Sequence, residues 1–343
     1  VYARGATDNK GQTFSHILGT QAWLKDHRDL PVNLIYLMEG EEEIGSPHLG
    51  EFLRVHAPEL ACDAILVSDT SMIAPGHPAI ACGLRGIACV NLRVKGPSAD
   101  LHSGVFGGAV PNPATELARL LAQMHNGTGR IMIPGFYDDV AAVDAVETGA
   151  WKHLPYTDDD VLKAAGSTAL GGEQGFTTLE RTWIRPTAEV NGITAGYQGP
   201  GSKTIIPSEA SAKLSFRLVP NQNPVDIACK VAAFFASKAV PGVEVEATYD
   251  HGGNPYFASP DTPLGLAVRT AVRNVFGREA ALVRGGLSIP VVSLFKEVLG
   301  RDTLLLGLGL PDCAAHSPNE TFPLENLDKG IALHLSILEQ FAT

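Results

Sequence analysis

An α/β fold with a mostly parallel sheet, interrupted by an inserted α+β lid or dimerisation unit, is what this sequence predicts. Three patterns predict it. Short, almost wholly apolar runs near both ends alternate with helical periodicity, as buried parallel strands and their helices do. The middle instead carries strands that alternate apolar with polar, the mark of an antiparallel sheet with one covered face. The length of 343 residues also exceeds what one ordinary domain needs. The division that follows is residues 1–86 with 253–343 for the outer unit, and 87–252 for the insertion.

Taken in order, Gly5 to Gly11 is turn-rich and leads into a helix. The predicted buried face of that helix is Phe14, Ile17, Leu18 and Ala22, with Lys25 its one polar member. Pro31 ends it. Residues 32–38 form an apolar run with Val, Ile and Tyr, read as a strand covered on both faces, and residues 64–67 form a second. Residues 87–94 alternate, Ala88, Val90, Leu92 and Val94 against Ile87, Cys89, Asn91 and Arg93. Pro113 suits the first turn of a helix running through Leu117, Leu120 and Leu121. Residues 127–174 lack periodicity and read as loops with short helices. Beyond them come an alternating strand at 210–218, an amphipathic helix at 224–238 and an edge or half-covered strand at 243–249. The outer pattern then returns. Thr262-Pro263 caps a helix that Gly277 closes; further helices span 288–299 and 324–341, with a buried strand at 304–308 between them. The last helix carries Leu324, Leu327, Ile331, Leu335 and Leu338 on one stripe.

Composition excludes several classes. An apolar fraction of 45% with 18% charged residues is not that of a disordered chain. The formal charge is −11, and no Lys/Arg cluster offers the basic stripe that nucleic acid requires. No apolar run approaches the ~20 residues of a membrane span. The five cysteines are odd in number and lack knuckle or redox spacing, which predicts buried free thiols and a reducing compartment, most simply the cytoplasm. Val1 is not a translation start and no signal-peptide pattern follows it, so a segment preceding it is expected.

The chemistry gathers in four places. Glu39-Gly40-Glu41-Glu42-Glu43-Ile44-Gly45-Ser46 follows the run at 32–38, and its adjacent carboxylates repel unless water or a cation relieves them. Alone, such a loop would be merely solvated. But Asp69 follows the second run and Asp8 precedes the first helix, and ligands of open α/β sheets collect beyond the carboxyl ends of strands. A histidine arrives late, in Ala315-His316-Ser317-Pro318-Asn319-Glu320. Carboxylates with imidazole suit a divalent cation of borderline hardness, Zn²⁺ first, with Mn²⁺ or Co²⁺ as alternatives.

These residues, with Tyr2 to Gly11 and Val67-Ser68-Asp69, resemble the dinuclear-zinc exopeptidase family of carnosinase-like dipeptidases, aminoacylases and succinyl-diaminopimelate desuccinylases. The resemblance runs along nearly the whole chain and is nearest to the dipeptidase branch. It implies two metal ions bridged by Asp8, with Glu43 and His316 on one side and Asp69 on the other, and Glu42 as general base. It implies that His102, in Asp100-Leu101-His102-Ser103-Gly104, crosses the interface of a homodimer and stabilises the oxyanion in the partner's site. Asn191, Thr204, Arg217 and His251 correspond to substrate-gripping elements, with Arg217 the clamp on a C-terminal carboxylate. Ser288 is a looser match, since Gly285 stands where the family has an acid. The family's His-x-Asp motif has no counterpart before Asp8. The one formal match, His27-Arg28-Asp29, follows Asp8 at a polar helix end and is set aside, so the missing ligand is expected on an N-terminal extension. The expected activity is hydrolysis of the amide bond of small peptides by metal-activated water. Deacylation of N-acyl amino acids on the same scaffold, or a non-catalytic scaffold with an incomplete metal site, are the alternatives.

Overall fold

The computed structural model describes residues 1–286 and 289–342; Ser288, an expected substrate contact, lies outside the described residues. The helices are α1 (Gly11–Asp26), α2 (Leu49–His56), α3 (Ser103–Phe106), α4 (Pro113–Ala122), α5 (Ala145–Trp151), α6 (Asp158–Ala165), α7 (Thr178–Trp183), α8 (Pro224–Ser237), α9 (Pro263–Phe276), α10 (Pro290–Leu299) and α11 (Leu324–Glu339). The strands are β1 (Ile65–Val67), β2 (Ala79–Leu84), β3 (Gly86–Lys95), β4 (Leu101–His102), β5 (Thr187–Ala195), β6 (Ile205–Ile206), β7 (Glu209–Leu218), β8 (Glu244–Gly253), β9 (Tyr256–Phe257), β10 (Ala281–Gly285) and β11 (Thr303–Leu306).

Alternation settles the middle of the chain. β5, β7, β3 and β8 pair antiparallel in that order. Ala88, Val90, Leu92 and Val94 turn inward and are buried against Leu117 and Leu120 of α4 and Val231 and Phe235 of α8. Asn112 and Asn223 cap these two helices with their side chains, each followed by a proline in the first turn. The strand expected at 243–249 is the edge strand β8, and the stretch 127–174 does hold only loops with the short α5 and α6.

The outer sheet is mixed, with its two longest pairings parallel. In the order β1–β11–β2–β10, the β1–β11 and β2–β10 pairs are parallel, while β11–β2 is antiparallel and β9 adds antiparallel to β2. The cause is the link from β1 to β2. Residues 68–78 contain no helix, and without a crossover a chain returns antiparallel. The sequence reading passed over β2 itself, because Ala79-Ile80-Ala81-Cys82-Gly83-Leu84 is poor in strand formers, although all six residues are buried.

Some local expectations fail, in whole or in part. Residues 32–38 form no strand and pair with none among the described residues, and Ile35, Tyr36 and Met38 are exposed; a strand exists only where a neighbour takes up its backbone bonds. On α1 the buried face is Gln12, Ser15, Gly19 and Trp23, whereas Phe14 and Ile17 are exposed. On α11 it is Asn326, Gly330, Leu333, His334, Ser336, Ile337 and Leu338; of the expected stripe Leu338 is buried and Leu327 packs on the core, while Leu324 is exposed. Both shifts have one reason: the helices pack on each other through small and polar residues. A Cβ on Gly19 would lie 2.7 Å from that of His334, and one on Gly330 would lie 2.6 Å from Ser15 Oγ. The five cysteines are unpaired, but only Cys82 and Cys313 are buried; Cys62 and Cys89 are half-buried and Cys229 is exposed. Among the described residues no helix is long and apolar enough to cross a membrane.

Candidate metal centre

The loop before α1 is held from beneath. Glu320, 3% exposed, accepts the backbone N–H groups of Gly5 at 2.9 Å and of Thr7 and Asp8 at 3.0 Å each. Burial alone would push its carboxyl up, but these three donors, with Arg4 nearby, hold it below the usual carboxylate value. Gln12 ties the same loop to the end of the sheet, donating to the Thr7 carbonyl (3.1 Å) and accepting from Leu308 N (2.7 Å). Asp8 therefore leaves a fixed backbone. Glu320 was quoted in the late motif but given no role there; its near-complete burial, invisible in sequence, is what reveals one.

Opposite Asp8 stands His316, whose Nε2 lies 2.8 Å from Asp8 Oδ2 and 3.0 Å from Glu43 Oε1. Its backbone takes φ 61°, in a loop where Ala314 and Asn319 are also left-handed. Side chains rarely accept that conformation unless the surroundings impose it. Ligand atoms of Asp8, Glu43 and His316 all fall within 4.8 Å of one another. Glu43 lies with Glu42 on a single 3₁₀ turn, Glu42–Ile44, closed by Gly45 at φ 85°. That turn lets the adjacent carboxylates diverge.

The remaining acids crowd the same rim. Asn9 Nδ2 donates to Ser68 O (2.6 Å) and Asp69 Oδ1 (2.9 Å). Burial first, then the charges of Asp8 and Glu42, push the Asp69 carboxyl up to about 7. Partial desolvation and the charges of Glu43, Asp8 and Glu39 raise Glu42, with His316 opposing. Arg4 answers with an ion pair to Glu43 at 2.8 Å. Asn9 Oδ1 and Glu39 Oε1 are nonetheless buried without a hydrogen-bond partner. Excess carboxylate, orphaned oxygens and a converging imidazole fit a divalent cation of the Zn²⁺, Mn²⁺ or Co²⁺ type. His27, by contrast, stacks on Trp23 at 4.1 Å at the far end of α1.

The other predicted residues stand on the four-stranded sheet and its satellites. Arg217 is half-buried on β7 between Thr187 and Ile87. Asn191 occupies the bulge of β5, and exposed His251 sits at the bulge of β8 with its Nδ1 3.0 Å from Asp250. His102 and Thr204 are brought together: His102 pairs with Ile205 across β4–β6, and Ser103 N donates to the Thr204 carbonyl at 3.0 Å. The exposed His102 ring accepts Gly104 N–H at its Nδ1, 3.0 Å. Among the described residues, these histidines make no hydrogen bond to Asp8, Glu43, Asp69 or His316. Arg85 was missed. It joins β2 to β3, donates to Gly286 O (3.2 Å), and is pushed down to about 10 by burial and by Arg217, with Glu189 opposing. Its signal was a lone arginine between two apolar runs.

A model of the peptidase dimerisation domain matches residues 82–243. The Cys-Gly metallodipeptidase dug1 of Schizosaccharomyces pombe is 35% identical over 352 residues, covering all of this chain and 73% of that protein. The chain belongs to the M20 metallopeptidase family. The human Beta-Ala-His dipeptidase is 31% identical, over all of this chain and 68% of its own length. Among solved structures, the M20 metallo-carboxypeptidase Sso-CP2 of Sulfolobus solfataricus matches with a TM-score of 0.84 at 31% identity, covering 99% of this chain and 77% of that one. Human carnosine dipeptidase 1 matches at 0.77 and 31%, over 99% and 73%. This M20 member is thus a metal-dependent peptidase, built on the family's α/β fold with its dimerisation insertion.

Proposed function

We propose that this M20 peptidase hydrolyses dipeptides with two divalent ions, Zn²⁺ foremost, held by Asp8, Glu43, Asp69 and His316. The observation that carries the reading is the convergence of Asp8, Glu43 and His316 on one point, with Glu42 beside them and not among them. Bound ions would supply an acidified water. Glu42, whose carboxyl is raised by burial and then by its acidic neighbours, would take that water's proton and deliver it to the leaving amine. Arg217 grips the substrate carboxylate, assisted by Asn191, Thr204 and His251. Among the described residues His102 has no bond to this rim, which suits a role in the partner's site of a homodimer. In this reading residues 87–252 form the inserted unit and 1–86 with 253–343 the metal-binding one. The free thiols favour a reducing, cytoplasmic setting.

Assay of a dipeptide panel beside N-acyl amino acids, with Zn²⁺ or Mn²⁺, tests this. Dipeptides should turn over, and Glu42→Gln should lower kcat by roughly 10²–10⁴-fold while metal remains bound. Preference for N-acyl substrates would establish a deacylase instead, and no turnover of any amide by metal-loaded protein would establish a scaffold. For the dimer, light scattering should give twice the chain mass, and His102→Ala should lower kcat without dissociating it.

A further inference from the structure

Behind the acidic rim, in the seam between α1 and α11, runs a chain of side-chain hydrogen bonds. His16 Nε2 lies 2.6 Å from Ser68 Oγ, and His16 Nδ1 lies 3.1 Å from His334 Nδ1. His334 Nε2 is 2.8 Å from Thr20 Oγ1, which is 2.6 Å from Tyr36 OH. Tyr36 OH in turn is 3.1 Å from the His16 carbonyl.

The last member forces the direction of all the others. A carbonyl only accepts, so the Tyr36 hydroxyl donates to it. The Tyr36 oxygen then accepts from Thr20, whose single proton is thereby used. Thr20 Oγ1 must accept from His334 Nε2–H, which leaves His334 Nδ1 bare, because burial keeps both rings neutral. His16 therefore carries its proton on Nδ1 and gives it to His334. Its bare Nε2 accepts from Ser68 Oγ–H. Each group donates once, and none competes.

The chain ends one residue from Asp69. Asn9 holds the same residues from the other side, through Ser68 O and Asp69 Oδ1. We propose that His16, fixed in its Nδ1–H tautomer by His334, is a positioning residue that clamps the Ser68 hydroxyl and so aims the Asp69 carboxylate at the metal. The inference rests on the reading of Asp69 as a ligand. Such outer-shell partners set ligand orientation, and their loss weakens metal binding about 10–100-fold. The glycines at positions 19 and 330 belong to the device, since a Cβ at either would push the two helices apart.

The test is titration of the metal-free full chain with Zn²⁺ alone against a chromogenic chelator, resolving each binding event, alongside its thermal stability. His16→Gln keeps an acceptor near the position of Nε2, for Ser68. His16→Asn keeps only a group near Nδ1, for His334. Asp69→Ala should abolish one binding event. Ser68→Ala and His16→Asn should each weaken that same event about 10–100-fold, and no further when combined, while His16→Gln stays near wild type. Ser68→Ala leaves both imidazoles in place, so it reports even if a histidine variant folds poorly. The proposal is overturned if Asp69→Ala removes an event that Ser68→Ala and His16→Asn leave untouched. It is overturned equally if both His16 variants lose metal in proportion to lost stability. Should Asp69→Ala change no event, the ligand assignment itself fails and takes the proposal with it.

Discussion

Ser68 and Asp69 are neighbours in the chain yet belong to opposite kinds of polar cluster. On the rim, Asp8, Glu39, Glu42, Glu43 and Asp69 bring more acceptors than donors, and two oxygens buried there, Asn9 Oδ1 and Glu39 Oε1, have no partner. In the seam, His16, His334, Thr20, Tyr36 and Ser68 alternate donor with acceptor, and the bonds close without any ion. Both clusters use imidazole. The difference is proton count: a set of acceptors calls for a cation, whereas a set with one proton per bond satisfies itself.

Four measurements put that contrast to the test. The largest effect is expected at the rim, where His316→Ala should lower kcat/KM by more than the ~100-fold typical of outer-shell changes and reduce the bound-ion count. Unchanged ion content would remove the distinction between the clusters.

Acid comes next. Both seam rings are depressed from 6.5 to about 4, by burial first. The unfolded chain therefore binds protons that the fold refuses. Their contribution is full above pH 6.5 and lost as pH falls towards 4, up to about 3 kcal/mol per ring. In metal-free protein Asp69 runs the other way, since a carboxyl raised to about 7 favours the fold below the unfolded value of 3.8 and loses that contribution as pH rises to 7. Denaturant unfolding at pH 7 and pH 4.5 should therefore show a steeper acid loss for metal-free Asp69→Asn than for metal-free wild type. Equal slopes would refute the opposition.

Glu320→Gln tests the clamp beneath Asp8. Losing the charge that serves three backbone donors should cost about 1.5–3 kcal/mol at neutral pH. The deficit should shrink as acid protonates Glu320 in the wild type, because a depressed carboxyl stabilises only above its folded value. A deficit independent of pH would mean that packing, not charge, holds the loop. The smallest effect belongs to Arg4→Ala. With Arg4 56% and Glu43 44% exposed, the pair should contribute no more than about 1 kcal/mol to chemical stability. A larger loss would place Arg4 with the buried clamp instead of the wet rim.

Legibility followed the same physical line. Strands with one wet face declare themselves by alternation, which is why β3, β7 and β8 could be read directly. Helices with capping side chains at Asn112, Asn223 and Thr262 were equally plain. β2 was illegible because a strand buried on both faces has no period, and its alanines and glycine have no strand preference. Residues 32–38 misled for the converse reason, since strand-like residues form a strand only with a neighbour. The faces of α1 and α11 were misread because Gly19, Gly330, Ser15 and His334 pack by shape and hydrogen bonding, which no hydrophobic stripe records. At the site, the ordered acids and His316 stood out as motifs, while Glu320, Arg85 and His16 did not. Those three act through burial and through partners distant in sequence.

From the residues alone came the class of fold, the antiparallel insertion and the donor types suited to a metal, because periodicity and side-chain chemistry are local properties. Tertiary structure decided the antiparallel turn of β2, the meeting of His316 with Asp8 and Glu43, and the tautomer of His16. Those depend on which groups, some 300 residues apart in the chain, arrive 2.8–3.1 Å from one another, and a linear order of residues carries no such distances.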